Sequence, residues 1–403
     1  MQIRIAIYSR TKNFWGGSFQ YAKAFTEALD NLEKENFDIR IWHLEDEEWS
    51  KVCNKLNFKE YLCSTYDIPD EFAEEAKKIQ DKLQSLGPDQ REERIKLLQI
   101  LQPYSAEAKI SKFHPHLIIQ PQMGNTSFLK GAKHICVIHD LMHRYETRFP
   151  EVGEGVIPKA RDQQYKSMIQ NADAIIVDSP TGAKHVRECY KNVRNEQLKI
   201  LPFAAFEEVI LCDEKKPNFN IPEKFFFYPA QFWLHKNHLG LAKAINILKN
   251  DFPNMVFITA GNTQQNGYEQ FHEFVENENL NKHFICPGYL PTENLVWLYK
   301  HARALVMPTF FGPTNIPPLE AMALDCPVAI SNIYGMPEQC KNAALYFNPD
   351  DPQDIASILK KLWTDDNLCQ DLIVKGQEHT KIYNVNTFKK QALRIVKEVL
   401  EIK

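Results

Sequence analysis

The chain has 403 residues and a mass of 46.9 kDa, long enough for two domains with full-sized cores, and it is no mini-protein. Hydrophobic residues at 44% and charged residues at 25% are an ordinary globular balance, which excludes a disordered, collagen-like or coiled-coil chain. Lys plus Arg number 48 against 52 Asp plus Glu, a net charge of -4, so the chain lacks a broad nucleic-acid footprint.

Met1 to Tyr8 alternates apolar residues and runs straight into a polar, Gly-containing loop, where a signal peptide would need a longer apolar stretch and a cleavage site. A cytoplasmic protein is expected. No apolar stretch approaches the roughly 18 residues of a membrane span, so any membrane contact is expected to be peripheral. The nine cysteines are never closer together than ten residues, which leaves no C-x-x-C pair for zinc or thiol redox chemistry. They read as reduced thiols, mostly in the core.

Short apolar runs alternate with amphipathic stretches, the pattern of parallel strands joined by crossover helices, and the fold class expected is α/β. In the first half the expected strands are Ile3 to Tyr8, Phe37 to His43, His116 to Gln120, His134 to His139, Ala174 to Asp178 and Lys199 to Pro202. The second half repeats the rhythm with Lys224 to Tyr228, Met255 to Ala260, His283 to Pro287, Arg303 to Met307, Val328 to Ser331 and Ala344 to Phe347. Residues 45–112 interrupt the first half with a charged, helix-favouring segment that carries no strand-like run, and a helical insertion is expected there. Phe206 to Pro222, rich in charge and holding two prolines, reads as the interdomain linker. Two sheets of similar length are expected to face each other across a cleft, with ligands at the carboxyl ends of the strands.

Four stretches carry candidate chemistry. Gly16 and Gly17 sit between the first strand and a helix-like run, Tyr21 to Leu29, where free backbone N–H groups and the helix dipole favour a phosphate; a tight turn is the bland alternative. Neither G-x-G-x-x-G nor a Walker A sequence occurs, which counts against a dinucleotide dehydrogenase or a P-loop enzyme. His139 and Asp140 leave the fourth strand at its carboxyl end, a position from which a His reaches a ligand or simply packs in the core. Lys236, in the loop Tyr228 to His238, is placed to neutralise a phosphate, unless it is an ordinary exposed lysine. The most informative stretch, Met307 to Ala323, combines a strand, a Pro- and Gly-rich turn and a helix whose first turn carries Glu320. A carboxylate there complements the helix dipole or accepts from ribose hydroxyls.

Together these residues resemble the retaining family-4 glycosyltransferases with the GT-B fold, of the bacterial surface-polysaccharide type. The resemblance runs through Gly16-Gly17, His139-Asp140, Asn171-Ala172-Asp173 to Ser179, Lys236, Gly288-Tyr289-Leu290 and Pro317-Pro318-Leu319-Glu320-Ala321-Met322-Ala323, and covers nearly the whole chain outside residues 45–112. It implies two Rossmann-like domains facing each other across a cleft, with a helical insertion in the first. Residues 1–210 would form the acceptor-side domain, onto which a C-terminal helix at about 386–403 would pack back, and residues 220–385 the donor domain. Gly16, Gly17 and Lys236 would approach the donor diphosphate, His139 the donor sugar and Glu320 the ribose, while backbone around Tyr289 would face the base. His139, Lys236 and Glu320 would then be the catalytic set.

Two departures stand out. The family's first Glu of a pair would fall eight positions before Glu320, where this chain has Gly312, and its usual Arg would fall six before Lys236, where it has Ala230 beside Gln231. Gln231, Thr314, Asn315 and loop amides would take over donor contacts. The activity implied is a metal-independent, retaining transfer from a nucleotide diphosphate sugar to a polysaccharide or lipid-linked acceptor of a cell-surface glycan, with no cofactor beyond the sugar nucleotide substrate. No D-x-D sequence suited to a metal occurs. A nucleotide-sugar epimerase of the same fold and a noncatalytic partner are the alternatives. Lys51, Lys55 and Lys59 lie at four-residue spacing, with Trp49, Val52, Cys53 and Leu56 offset around the same helix. A solvated lysine face over a buried apolar face is the preferred reading, and a peripheral face on an anionic membrane the other.

Overall fold

The computed structural model describes residues 2–12, 16–32, 36–63, 68–87, 90–102, 105–123 and 128–402. Thirteen strands appear among them: β1 Ile3–Ser9, β2 Phe37–His43, β3 Lys59–Leu62, β4 Leu117–Gln120, β5 Lys133–Val137, β6 Ala174–Val177, β7 Leu198–Ile200, β8 Phe226–Pro229, β9 Phe257–Ala260, β10 Phe284–Gly288, β11 Ala304–Met307, β12 Val328–Ser331 and β13 Leu345–Phe347. They form a seven-stranded sheet of order β3-β2-β1-β4-β5-β6-β7 and a six-stranded sheet of order β10-β9-β8-β11-β12-β13. β1 pairs in parallel with β2 and β4, and β8 pairs in parallel with β9 and β11. Connections between parallel strands must cross a face of the sheet, and the helices that do so bury it on both sides. This is why β6 and β11 read as unbroken apolar runs, β4, β9 and β12 as runs with a single polar residue, and all five are buried throughout.

Each sheet reverses its strand order once, at β1/β4 and at β8/β11. Such a switch point leaves a crevice outside the carboxyl ends of the two flanking strands, where α/β folds bind ligands. By contacts the residues gather into two compact units, Met1–Val137 with Ser167–Ile175 and Ala392–Lys403, and Ile138–Lys166 with Ile176–Gln391.

Residues 45–112 hold the helices Glu47–Leu56, Ala73–Ser85, Arg91–Leu101 and Ala106–Phe113. They also hold β3, which contradicts the expectation that no strand lies there. β3 is an edge strand with the sequence Lys-Glu-Tyr-Leu, exposed at three of its four positions, so it needs no apolar run to be stable. Helix Glu47–Leu56 buries Trp49, Val52, Cys53 and Leu56. On its other face Lys51 pairs with Glu48 at 2.5 Å and Lys55 with Glu27 at 3.6 Å, so these lysines form a solvated, charge-mixed surface. All nine cysteines are free, and five are buried. Within the first unit Lys133 donates to the carbonyl of Val399 at 2.7 Å, tying the end of helix Val385–Leu400 to β5. No helix among the described residues is long and apolar enough to cross a membrane.

Candidate active site

The loop after β8 begins at the switch point of the second sheet and carries Lys236. Its backbone is held from several sides. Tyr228, at the end of β8, donates its hydroxyl to the Lys236 carbonyl at 3.0 Å, and the Lys236 N–H donates to Trp233 at 2.9 Å. Asn237 follows in a left-handed conformation, φ 59°, and caps helix His238–Leu248 by accepting from the Gly240 N–H at 3.1 Å. A Cβ at Gly240 would lie 2.6 Å from the Asn237 side chain, so the cap requires glycine there.

The same loop is stapled to the one after β11. Asn237 Nδ2 donates to the carbonyls of Pro308 and Pro349 at 3.2 and 2.9 Å, while the His235 carbonyl accepts from the Phe310 N–H at 2.8 Å and the Thr309 hydroxyl at 3.2 Å. The two loops flanking the switch point are therefore one hydrogen-bonded body. Sequence reasoning missed Asn237 in this role; its signal was the Asn-x-x-Gly spacing of a helix cap.

Lys236 is half-buried, and its ammonium makes no hydrogen bond or ion pair among the described residues. Burial pulls its pKa down to about 8, partly opposed by the negative charge of Asp140. It is charged at neutral pH and short of counter-charge. His235 stacks on Phe311 with ring centroids 3.7 Å apart, and its Nδ1 lies 3.3 Å from Glu151 Oε1, so a carboxylate sits beside this loop without pairing with Lys236.

Glu320 lies in the first turn of helix Pro317–Ala323, begun by two prolines where missing N–H groups cost nothing. Tyr299 donates to its Oε2 at 2.9 Å. Burial raises the Glu320 pKa to about 7, against the Tyr299 hydrogen bond and together with the charge of Glu208. Oε1 makes no hydrogen bond among the described residues and is available to a ligand donor.

Thr314 and Asn315, in the loop between β11 and that helix, are already engaged. The Thr314 hydroxyl donates to Asp178 Oδ2, and the Asn315 amide donates to the Phe311 carbonyl at 3.0 Å. Gln339 clamps the Asn315 backbone from both sides, accepting from its N–H at 2.9 Å and donating to its carbonyl at 2.6 Å. Both side chains keep an acceptor oxygen, Thr314 Oγ1 and Asn315 Oδ1, for donors on a ligand. Asp178, buried just past β6, also accepts from Ser179 at 3.2 Å, and burial raises its pKa to about 7. Sequence reading placed Asp178 at a strand end but gave it no part in the site.

His139 is half-buried after β5, its ring 5.4 Å from that of Phe203. Burial lowers its pKa to about 4, so the imidazole is neutral and has hydrogen bonding rather than charge to offer a ligand. Its neighbour Asp140 is paired with Arg161 at 2.7 Å. Gln231 is exposed, accepting from Trp233 Nε1 at 3.0 Å, and Tyr289, just past β10, is 78% exposed. Gly16 and Gly17 lie in the first unit after β1. Gly16, at φ 58°, caps helix Gly17–Ala28, and its backbone conformation suits glycine.

Residues 212–379 match the family described as Glycosyl transferases group 1. That segment is similar to the glycosyltransferases of this group. Lys236, Glu320, Gln231, Tyr289, Thr314 and Asn315 lie inside the matched segment, and Gly16, Gly17 and His139 outside it. Over 254 residues the chain is 27% identical to the serotype-specific mannosyltransferase WbdA of Escherichia coli, covering 60% of this chain and 30% of that protein. It thus spans under a third of the length of the curated relatives it matches first. Anabaena HepE in complex with UDP-glucose superposes with a TM-score of 0.70 at 12% identity, over 98% of this chain and all of that one. WaaG, a glycosyltransferase involved in lipopolysaccharide biosynthesis, gives 0.65 at 12% identity, over 98% of this chain and 99% of that one. At these identities the likeness speaks for the fold alone: two parallel-sheet, Rossmann-like domains of the GT-B type.

Proposed function

We propose that the chain is a retaining, metal-independent glycosyltransferase of family 4. It would move a sugar from a nucleotide diphosphate sugar to a polysaccharide or lipid-linked acceptor in cell-surface glycan biosynthesis, such as lipopolysaccharide O-antigen, capsule or exopolysaccharide. The observation that carries this reading is Lys236: a half-buried cation without a counter-ion, held by its backbone at the switch point of the second sheet. The UDP-glucose of the HepE complex, the mannosyltransferase activity in WbdA's description and the lipopolysaccharide role of WaaG support the substrate class.

In the proposed reaction the bond from the anomeric carbon to the leaving phosphate oxygen breaks, and the acceptor oxygen bonds that carbon on the same face. The acceptor's proton passes to the leaving phosphate oxygen. Lys236 offsets the charge that builds on the diphosphate, and the carboxylate of Glu320 accepts from the ribose hydroxyls. Neutral His139 hydrogen-bonds the donor sugar, and acceptor oxygens on Thr314 and Asn315 take its hydroxyl protons. Gln231 and backbone near Tyr289 lie toward the phosphate and the base. On the first sheet, amides at Gly16 and Gly17 suit an anionic group. Residues 1–210 would serve the acceptor and 220–385 the donor, on the cytoplasmic side, with any membrane contact peripheral.

A thermal-shift panel of UDP, GDP, ADP and dTDP with their sugar derivatives tests this. A ligand that binds only the folded state at one hundred times Kd stabilises it by about 2.7 kcal/mol. One base is expected to shift the wild type by several degrees and Glu320→Ala by much less, with slow hydrolysis of the matching sugar nucleotide. No shift with any nucleotide would overturn the proposal in favour of a noncatalytic partner; conversion of the sugar without release of nucleotide would point to an epimerase. A chelator is expected to leave transfer unchanged at temperatures well below unfolding, and a loss that magnesium or manganese restores would refute metal independence.

A further inference from the structure

The edge of the first sheet brings together three side chains of metal-ligating type. His43 ends β2, Glu60 lies on β3, and Cys53 is on the buried face of helix Glu47–Leu56. In the parallel register Glu60 stands beside Ile41, two residues from His43, so Glu60 and His43 share the face that the helix covers. One ligand atom from each of His43, Cys53 and Glu60 can be chosen so that all lie within 4.8 Å of one another.

The hydrogen bonds of His43 decide what this cluster can hold. Its Nδ1 lies 2.6 Å from the carbonyl of Leu44, and since a carbonyl only accepts, Nδ1 carries the proton and donates. In the neutral ring Nε2 is then a bare lone pair. It faces Glu60 Oε2 at 3.0 Å, and that oxygen already accepts from the Ser50 hydroxyl at 2.9 Å. Two acceptors at this separation require a cation between them, a proton or a metal ion. A proton would need only His43 and Glu60. The buried sulfur of Cys53 beside them completes a nitrogen, sulfur and oxygen donor set of the kind zinc takes. The contacts from Leu44 and Ser50 are those that orient ligands in metal centres: a ring N–H donated to a backbone carbonyl, and a hydroxyl donated to the ligating carboxylate.

We propose that His43 Nε2, Cys53 Sγ and a Glu60 carboxylate oxygen bind one zinc ion, with the fourth position open to water on the side of the exposed Glu60. The Cys53 thiol proton leaves to solvent as the thiolate coordinates. The ion would staple β2, the short edge strand β3 and helix Glu47–Leu56. The C-x-x-C spacing usual in sequence searches is absent because the ligands come from a strand end, a helix and the next strand.

The test uses the full-length chain, stripped with a chelator, dialysed and titrated with Co2+ and then Zn2+. One cobalt per chain is expected, with a thiolate-to-cobalt charge-transfer band in the near ultraviolet that zinc abolishes, and zinc should raise the Tm. Cys53→Ser should lose the band. Because Cys53 is buried and its variant could misfold, Glu60→Gln at the exposed edge provides the second reading. It should fold as wild type, keep its nucleotide shift and bind zinc at least about tenfold more weakly. No thiolate band in wild type, an unchanged band in Cys53→Ser, or wild-type zinc affinity in Glu60→Gln would each overturn the proposal. So would a His43 ring that stays doubly protonated in the presence of zinc, since a proton would then hold the place assigned to the metal.

Discussion

Two carboxylates, Asp178 buried past β6 and Glu320 half-buried after β11, have pKa values raised by desolvation to the same region, about 7, yet they are used differently. Asp178 gives both oxygens to the fold, one to Thr314 and one to Ser179. Around it Asp140 is paired with Arg161, so charge in that region is largely matched from within. Glu320 has one oxygen on Tyr299 and the other uncommitted among the described residues, with the carboxylate of Glu208 as its charged neighbour. A similar pKa shift therefore says little about role. Spare hydrogen-bonding capacity separates an acid that braces a loop from one that can receive a ligand.

The contrast can be pressed hardest at Lys236, whose charge nothing in either region pairs. Lys236→Ala should lower kcat/KM for transfer by roughly 10²- to 10³-fold, the usual cost of losing one preorganised group that stabilises developing charge, while the Tm moves little. Equal turnover would remove Lys236 from the diphosphate.

Next in size is the split between the two carboxylates. Glu320→Gln should weaken nucleotide binding by about ten- to a hundredfold, as expected for about 1.5 to 3 kcal/mol in a charged hydrogen bond, with modest loss of stability. Asp178→Asn should do the reverse, lowering the unfolding free energy by about 1 to 3 kcal/mol, with nucleotide affinity changed only a few-fold. Calorimetric titration and denaturant unfolding of both variants measure the split, and a reversal of it would break the comparison.

The smallest effect is in pH dependence. Glu320 is ionised above about 7 and Lys236 charged below about 8, so kcat/KM should rise through the first value and fall through the second, a narrow bell. Lys236→Met should remove the falling limb, and a wild-type profile flat from pH 6 to 9 would contradict both assignments. Stability has the opposite sign at Glu320. Its folded pKa lies above its ordinary 4.5, so the folded state binds more protons between about 4.5 and 7, and stability should fall as pH rises through that window. Glu320→Gln should flatten that part of the Tm profile.

Much of the fold was legible because parallel strands buried on both faces must be short apolar runs, and twelve such runs were read at nearly their observed limits, β2 and β12 at both ends. β3 was not, since an edge strand half open to water carries no such signature. Lys236 and Glu320 were visible because a loop after a strand and a Pro-started helix leave local traces. The partners that define them were not: Tyr299 reaches Glu320 across 21 residues, and Asn237 reaches Pro349 across 112.

The sequence by itself determined the alternation of strand and helix, and with it two parallel sheets, because burial and backbone periodicity act over a few residues at a time. It also placed a lysine in a loop after a strand and a glutamate in the first turn of a Pro-started helix. Only the tertiary structure decided which carboxylate keeps a free oxygen, how the loops after β8 and β11 are stapled, and that His43, Cys53 and Glu60 share one face. Those outcomes depend on strand order and register, which join residues far apart in the chain, and no local pattern records which distant hydroxyl or carbonyl a side chain will meet.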